Sequence, residues 1–263
     1  MVHNTKQKKS VCTPAVDRAL DVIELMASSK GDLSLSEIIK RVSIPRQSLI
    51  RILNTLCYRG IVDKTDQRGF YRLGMKLLYL GHRIQDKIKL RSVALPFMHE
   101  LADNTAKTIE LSTLDRDQLI LIEQIEEGNE EVRLYSRIGS VYPYFHALAA
   151  GKIYLAHMDP EKRQTVLDKI GLPAVTEHTI TERSKLEEEL LSIQEDGYAF
   201  EDQELRKGVR RIVAPIYNFR NNLAGCIGIA ATLFSFELED RARLGRIVIK
   251  TANRISYRMG KKE

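Results

Sequence analysis

"SIPRQSLIRILNTLCYRG", residues Ser43 to Gly60, reads as a helix with two unlike faces. Leu49, Ile52, Leu53 and Leu56 recur at i, i+3, i+4 and i+7, the spacing of one buried stripe. Gln47, Arg51, Asn54 and Tyr58 fall opposite that stripe, and Arg46 stands at the start. Pro45 suits a first helical turn and Gly60 a C-terminal cap. From this segment alone two readings of the polar face stay open. One is a solvated surface, the ordinary fate of charge on a helix; the other is a surface that meets a partner.

The neighbouring segments favour the partner. "PAVDRALDVIELMAS" (Pro14 to Ser28) predicts a helix with Val16, Leu20, Ile23 and Ala27 on one face. "SLSEIIKRV" opens at Ser34 with Glu37 three residues on, a capping-box pattern, and turns Ile38, Ile39 and Val42 inward. Only Ser43 and Ile44 separate it from Pro45, the spacing of a helix-turn-helix whose second helix enters the major groove. After Gly60, "IVDKTDQRGFYRLG" reads as a hairpin: a strand from Ile61, a turn at Asp66–Gly69 and a return at Phe70–Leu73. Lys64, Arg68 and Arg72 make it a basic wing.

Charge is distributed to match. Residues 1–91 hold 18 Lys and Arg against 8 Asp and Glu, while residues 92–263 hold 23 against 27. A net +6 chain thus confines its basic excess to the first third, as a nucleic-acid-binding module would. An anionic membrane surface is a weaker match, because no helix sets a Lys-rich face against Trp and Phe. The longest largely apolar run, Leu223 to Phe234, is twelve residues and too short to span a bilayer. The opening MVHNTKQKKS has no apolar stretch behind it and reads as a basic arm, not a secretory signal. Cys12, Cys57 and Cys226 are odd in number and at no metal spacing, which fits a reduced, cytoplasmic setting.

"LSLSEIIKRVSIPRQSLIRILNTLCYRGIVDKTDQRGFYRLGMKLLYLG" resembles the winged helix-turn-helix of the IclR family of bacterial transcription regulators. The likeness continues through "LRSVALPFMHELADNTAKTIELSTL", "HALAAGKIYLA" and "GYAFEDQELRKGVRRIVAPI", in order, over residues 14 to 257. It implies a regulator that reads an operator as a dimer or dimer of dimers and binds a small effector in its C-terminal domain. Carried over by position, Arg46, Gln47, Ser48 and Arg51 stand where the family meets DNA. Ile50 stands where the family often has His or Tyr, and suits a thymine methyl group better than a polar base edge. Asn54, Lys64 and Arg68 complete the candidate DNA-binding set.

"MKLLYLGHRIQDKIKLRSVALPFMHELADNT" reads as nearly continuous helix from Met75, with Gly81 inside it and a break at Pro96. Leu77, Leu80, Ile84 and Ile88 form an apolar seam, either packed within the chain or, as the resemblance implies, against a dimer mate. Beyond residue 105, "TIELSTL", "QLILIEQI" and "VRLYSR" are β-rich, "HALAAGKIYLAHM", "PEKRQTVLDKI" and "ERSKLEEELLSIQEDG" helical. "VRRIVAPIYN" and "AGCIGIAATLF" then form a hairpin before a closing helix. Strands in groups with helices between them argue for α+β with an antiparallel sheet. The expected organisation is a basic arm (1–13), a winged helix-turn-helix (14–74), a linker helix (75–91) and, from the resemblance, a GAF-like effector domain (92–263).

By the same resemblance, the effector lies between the sheet and the helix of "HALAAGKIYLA". Ala149 and Ala150 match the helix positions, and Glu201, Arg211, Gly228 and Ala230 the sheet and loop positions. A helix N-terminus favours anions, which points to a carboxylate-bearing metabolite. Gly228 and Ala230 replace serine hydroxyls found in some relatives, so the rest of the ligand is expected to be less polar or larger than a two- or three-carbon oxoacid. Arg211 either offers a fork to that carboxylate or simply pairs with Glu201. His146, opening the helix, is expected to be a cap or a core residue.

Nothing announces catalysis. The sequence has no GxSxG, HExxH, GxxxxGK[ST] or GxGxxG, and its six histidines never pair at metal spacing. The run "EEGNEE" reads as a solvated turn, and Cys226, in an apolar strand, as an inert thiol. No cofactor or metal is expected. A sensor acting only through protein contacts would leave the basic first third unexplained.

Overall fold

The Ser34 hydroxyl accepts the Glu37 N–H at 3.2 Å while the Glu37 carboxylate accepts the Ser34 N–H at 2.8 Å. This reciprocal cap starts the helix α2 (Leu35–Arg41). The computed structural model describes residues 13–67, 69–85, 87–126 and 136–262. The chain divides into two units, which meet between Lys87 and Ile88.

In the first unit, α1 (Pro14–Ser28), α2 and α3 (Arg46–Tyr58) enclose a core of Val22, Met26, Ile38, Leu49, Leu53 and Leu56. A three-stranded antiparallel sheet lies beside them, in the order β1 (Leu33–Ser34), β3 (Phe70–Leu73), β2 (Val62–Lys64). The wing pairs Val62 with Leu73 and Lys64 with Tyr71. Its short first strand β1, not foreseen, pairs Leu33 with Tyr71.

The expected face of α1 is wrong. Val16 (58 %) and Leu20 (51 %) are exposed, and so is Ala27; Val22 and Met26 are buried, with Ala19, Ile23 and Leu25 partly so. The helix carries two apolar stripes, and packing against the other elements selects the one that continues the core.

The helix after the wing also differs from expectation. α4 (Met75–Gln85) ends well before Pro96, and Ile88, in extended conformation, precedes α5 (Lys89–Thr105). Pro96 sits inside α5, where burial of Leu90, Ala94, Met98, Leu101 and Ala102 outweighs the missing hydrogen bond. The seam residues separate accordingly: Leu80 and Ile84 are exposed on α4, whereas Ile88 packs on the core of the second unit.

That unit is built on a six-stranded antiparallel sheet in the order β6-β5-β4-β9-β8-β7. Its strands are β4 (Thr108–Asp115), β5 (Gln118–Ile125), β6 (Val141–Tyr142), β7 (Ala199–Asp202), β8 (Val209–Tyr217) and β9 (Leu223–Thr232). Two of these, β6 and β7, carry too little apolar periodicity to stand out in sequence. α5 and α9 (Arg241–Arg258) cover one face over Ile109, Ile212, Ile227 and Ile229. α6 (Ala149–His157) and α8 (Arg183–Asp196) cover the other over Leu119, Val213 and Cys226, with α7 (Pro160–Ile170) alongside. The carboxylate turn "EEGNEE" and the run "VRLYSR" fall largely on 127–135, outside the described residues. Among those described, no helix is long and apolar enough to cross a membrane.

Candidate functional site

The polar face of α3 is free of the protein around it. Leu49, Leu53 and Leu56 anchor the helix, which leaves Arg46, Gln47, Arg51 and Asn54 exposed and Ser48 and Ile50 half-buried. Tyr58 is 89 % exposed at the far end. No acidic residue lies in the first turn, so the positive end of the helix dipole and Arg46 act together. Lys64 and Arg72 are exposed on the wing; Arg68 lies outside the described residues. A helix end with free amides, two guanidiniums and amide side chains offers donors for phosphates and for base edges alike.

In the second unit, pleat alternation sends Ile109, Ile212 and Ile229 to one face and Glu110, Arg211, Gly228 and Ala230 to the face under α6. Arg211 is buried and engaged through two of its nitrogens: Nε donates to Glu110 at 3.2 Å, and Nη1 donates to Glu201 at 3.2 Å. Glu201 also accepts the Leu205 N–H at 3.1 Å, and Glu110 accepts from the Ser136 hydroxyl at 2.9 Å. Burial opposes charge on Arg211, but the two carboxylates overcome it and hold the guanidinium protonated. Burial pushes the Glu201 carboxyl up against the pull of Arg211. Arg211 therefore points inward, and it pairs with Glu201 as one of the two sequence readings held.

Beside this network α6 begins. Ala149 and Ala150 are buried in its first turn, whose N–H groups have no carbonyl one turn back to bond. Gly151 lets the turn close: a Cβ there would lie 2.3 Å from the Phe145 carbonyl oxygen. Gly228 does not open extra space, because a Cβ there would meet Val213 Cγ2 at 2.5 Å. His146 is a core residue with Nε2 3.0 Å from the Pro173 carbonyl, and burial lowers its pKa; the N-cap of α6 is Leu148. Burial pushes the Cys226 thiol far up. Among the described residues no group of His, Cys, Asp and Glu is placed to hold a metal ion.

Comparison with known proteins settles the family. Residues 15–66 match the IclR helix-turn-helix domain, and residues 82–257 match the C-terminal domain of bacterial transcriptional regulators of the IclR type. The chain belongs to the IclR family. The HTH-type transcriptional regulator XynR of Escherichia coli is 31 % identical over 82 % of this chain and 85 % of its own. The crystal structure of an IclR transcriptional regulator from Alicyclobacillus acidocaldarius superposes with TM-score 0.82 at 28 % identity, over 95 % of this chain and 100 % of that one. An IclR homologue from Microbacterium hydrocarbonoxydans, solved with 4-hydroxybenzoate, gives TM-score 0.80 at 25 % identity, over 93 % and 98 %. This IclR protein is thus a DNA-binding transcriptional regulator.

Four residues of the IclR effector domain escaped the sequence reading: Glu110, Lys152, Glu189 and Glu204. Glu110 occupies the polar side of the alternating run "TIELSTL", a signal available but unused. Lys152, 0 % exposed, donates to Glu204 at 2.6 Å and to Glu189 at 3.3 Å. A lysine within the otherwise small and apolar "ALAAGKIYLA" was the hint; its partners in the loop after β7 and on α8 were not legible.

Proposed function

We propose that this regulator, acting in the cytoplasm as a homo-oligomer, reads an operator through α3 and the wing, and that a small carboxylate-bearing metabolite in the second unit alters its hold on DNA. The observation that carries the DNA reading is the exposed row Arg46, Gln47, Arg51 and Asn54 on a helix anchored by its opposite face. Ser48 and Ile50 flank that row, and Lys64 and Arg68 are assigned to the phosphates beside it. Arg51→Ala or Gln47→Ala should cost roughly 1–3 kcal/mol and relax preference at particular bases, while Lys64→Ala should weaken all duplexes alike. Selection of bound fragments from genomic DNA followed by titration tests this. Equal affinity of wild type for every duplex would refute it.

Oligomerisation is supported by the apolar surface that α4 leaves exposed within the chain, with Leu78 at 65 % and Ile84 at 63 %. Two-fold pairing doubles the bases read and suits palindromic half-sites.

For the effector, the support is the α6 N-terminus at Ala149 and Ala150, beside a face whose charges are already paired. The acid bound to the Microbacterium homologue agrees in chemistry. Arg211 acts here less as the anion's fork than as the group that neutralises Glu110 and Glu201, which would otherwise repel an acid. Gly228 is filled by Val213 and Ala230 is buried, so neither enlarges the site. Calorimetry with a panel of metabolic acids and their amides is the test, and binding of the neutral compounds alone would sink the anion assignment.

A further inference from the structure

α9 presents a basic row that neither the helix α3 nor the effector face uses. Arg246, Lys250, Arg254 and Arg258 recur every fourth residue on its exposed side, and Lys262 follows just past its end. All five line one open groove of about 830 Å³, floored by Phe97, Ile249 and Tyr257. Four residues of helix rise about 6 Å and drift about 40° round the axis, so the row from Arg246 to Arg258 climbs about 18 Å as a shallow spiral.

The sequence segregates its charge to build this row. Residues 241–262 contain eight Lys and Arg and no Asp or Glu, whereas residues 92–240 contain 15 against 26. A solvated helix face ordinarily mixes signs, because like charges at i,i+4 repel one another. Here three such pairs follow one another. Among the described residues the acid paired with the row is Glu100, which accepts from Arg254 Nη1 at 2.6 Å while that guanidinium lies 4.8 Å above the Phe97 ring. Arg246, Lys250 and Arg258 form no ion pair with any described residue.

We propose that this row is a second DNA-contact surface, which takes the phosphate backbone of duplex outside the bases read by α3. An evenly pitched, gently winding row of like charges with no interspersed acid matches a polyanionic backbone better than the mixed surface of a protein. The rest of the domain, being acidic, leaves this row as the side that approaches phosphate at least electrostatic cost. The proposal rests on the DNA-binding reading, since a domain tethered to a DNA-bound unit meets phosphates at high effective concentration.

The test is a salt titration of full-length wild type, Arg246→Gln/Lys250→Gln/Arg258→Gln, and Arg51→Ala on a long duplex of mixed sequence. Three lost phosphate contacts should lower the slope of log K against log salt by about 2.7, so that between 50 and 200 mM salt the triple variant loses about 40-fold less affinity than wild type. An unchanged slope in the triple variant overturns the proposal. It does so equally if sedimentation shows the variant's oligomer dissociating, or if wild type alone captures polyglutamate, outcomes that assign the groove to a second copy or to an acidic protein. Failure of wild type to bind any duplex would instead refute the DNA reading itself.

Discussion

Replacing Lys152 by Met should give a destabilisation that depends on pH in a calculable way. Lys152 is 0 % exposed and donates to Glu204 at 2.6 Å; the other Glu204 oxygen has no partner, and its side chain is 8 % exposed. Burial pushes the Glu204 carboxyl up to about 7, with Lys152 pulling the other way. In the wild type this group binds its proton more tightly folded than unfolded. Its contribution to stability therefore falls as pH rises from about 4.5 to about 7 and is flat above that. Methionine keeps the aliphatic stem but removes the counter-charge, so Glu204 in the variant keeps its proton to higher pH. The added cost is then small at pH 7 and grows by roughly 1 kcal/mol for each pH unit above it, reaching about 2–3 kcal/mol at pH 9. Urea denaturation of wild type, Lys152→Met and Lys152→Met/Glu204→Gln at pH 6, 8 and 9 measures it. The single variant should approach wild type at pH 6 and fall away above pH 7, and the double variant should lose that slope. A difference from wild type that is the same at all three pH values would refute the reasoning, as would a slope that persists in the double variant.

The Arg211 network predicts a related asymmetry: Arg211→Met takes the ion-pair partner from the buried Glu201 and the largely buried Glu110 and should cost about 3–5 kcal/mol, part of which Arg211→Met/Glu201→Gln recovers in the same denaturation assay. Gly151→Ala sets a Cβ 2.3 Å from the Phe145 carbonyl, a backbone atom that cannot swing aside, and should lower thermal stability by about 1–3 kcal/mol. Ser34→Ala removes one half of the α2 capping box and should cost about 1 kcal/mol, visible as a lower urea midpoint for the first unit.

The sequence by itself determined the features that rest on neighbours along the chain. The α2 cap, the buried stripe of α3, the wing hairpin and the limits of β5 follow from spacings of two to seven residues, which backbone geometry converts directly into faces and turns. Residue types in order also sufficed for the family and for the exposed polar row Arg46, Gln47, Arg51 and Asn54 on α3. Only the tertiary structure decided between the two apolar stripes of α1, because both satisfy the helical period and the core accepts one. It also moved the helix break from Pro96 to the residues before Lys89, since the proline's local cost is smaller than the burial α5 gains on the sheet. The inward turn of Arg211 depended on strand register, where one residue of slip exchanges the two faces. Its partner Glu110 is 101 residues away, and the Lys152–Glu204 pair is separated by 52. Contacts of that range leave no periodic trace in a single sequence, because the chain between them, and not the residues themselves, brings them together.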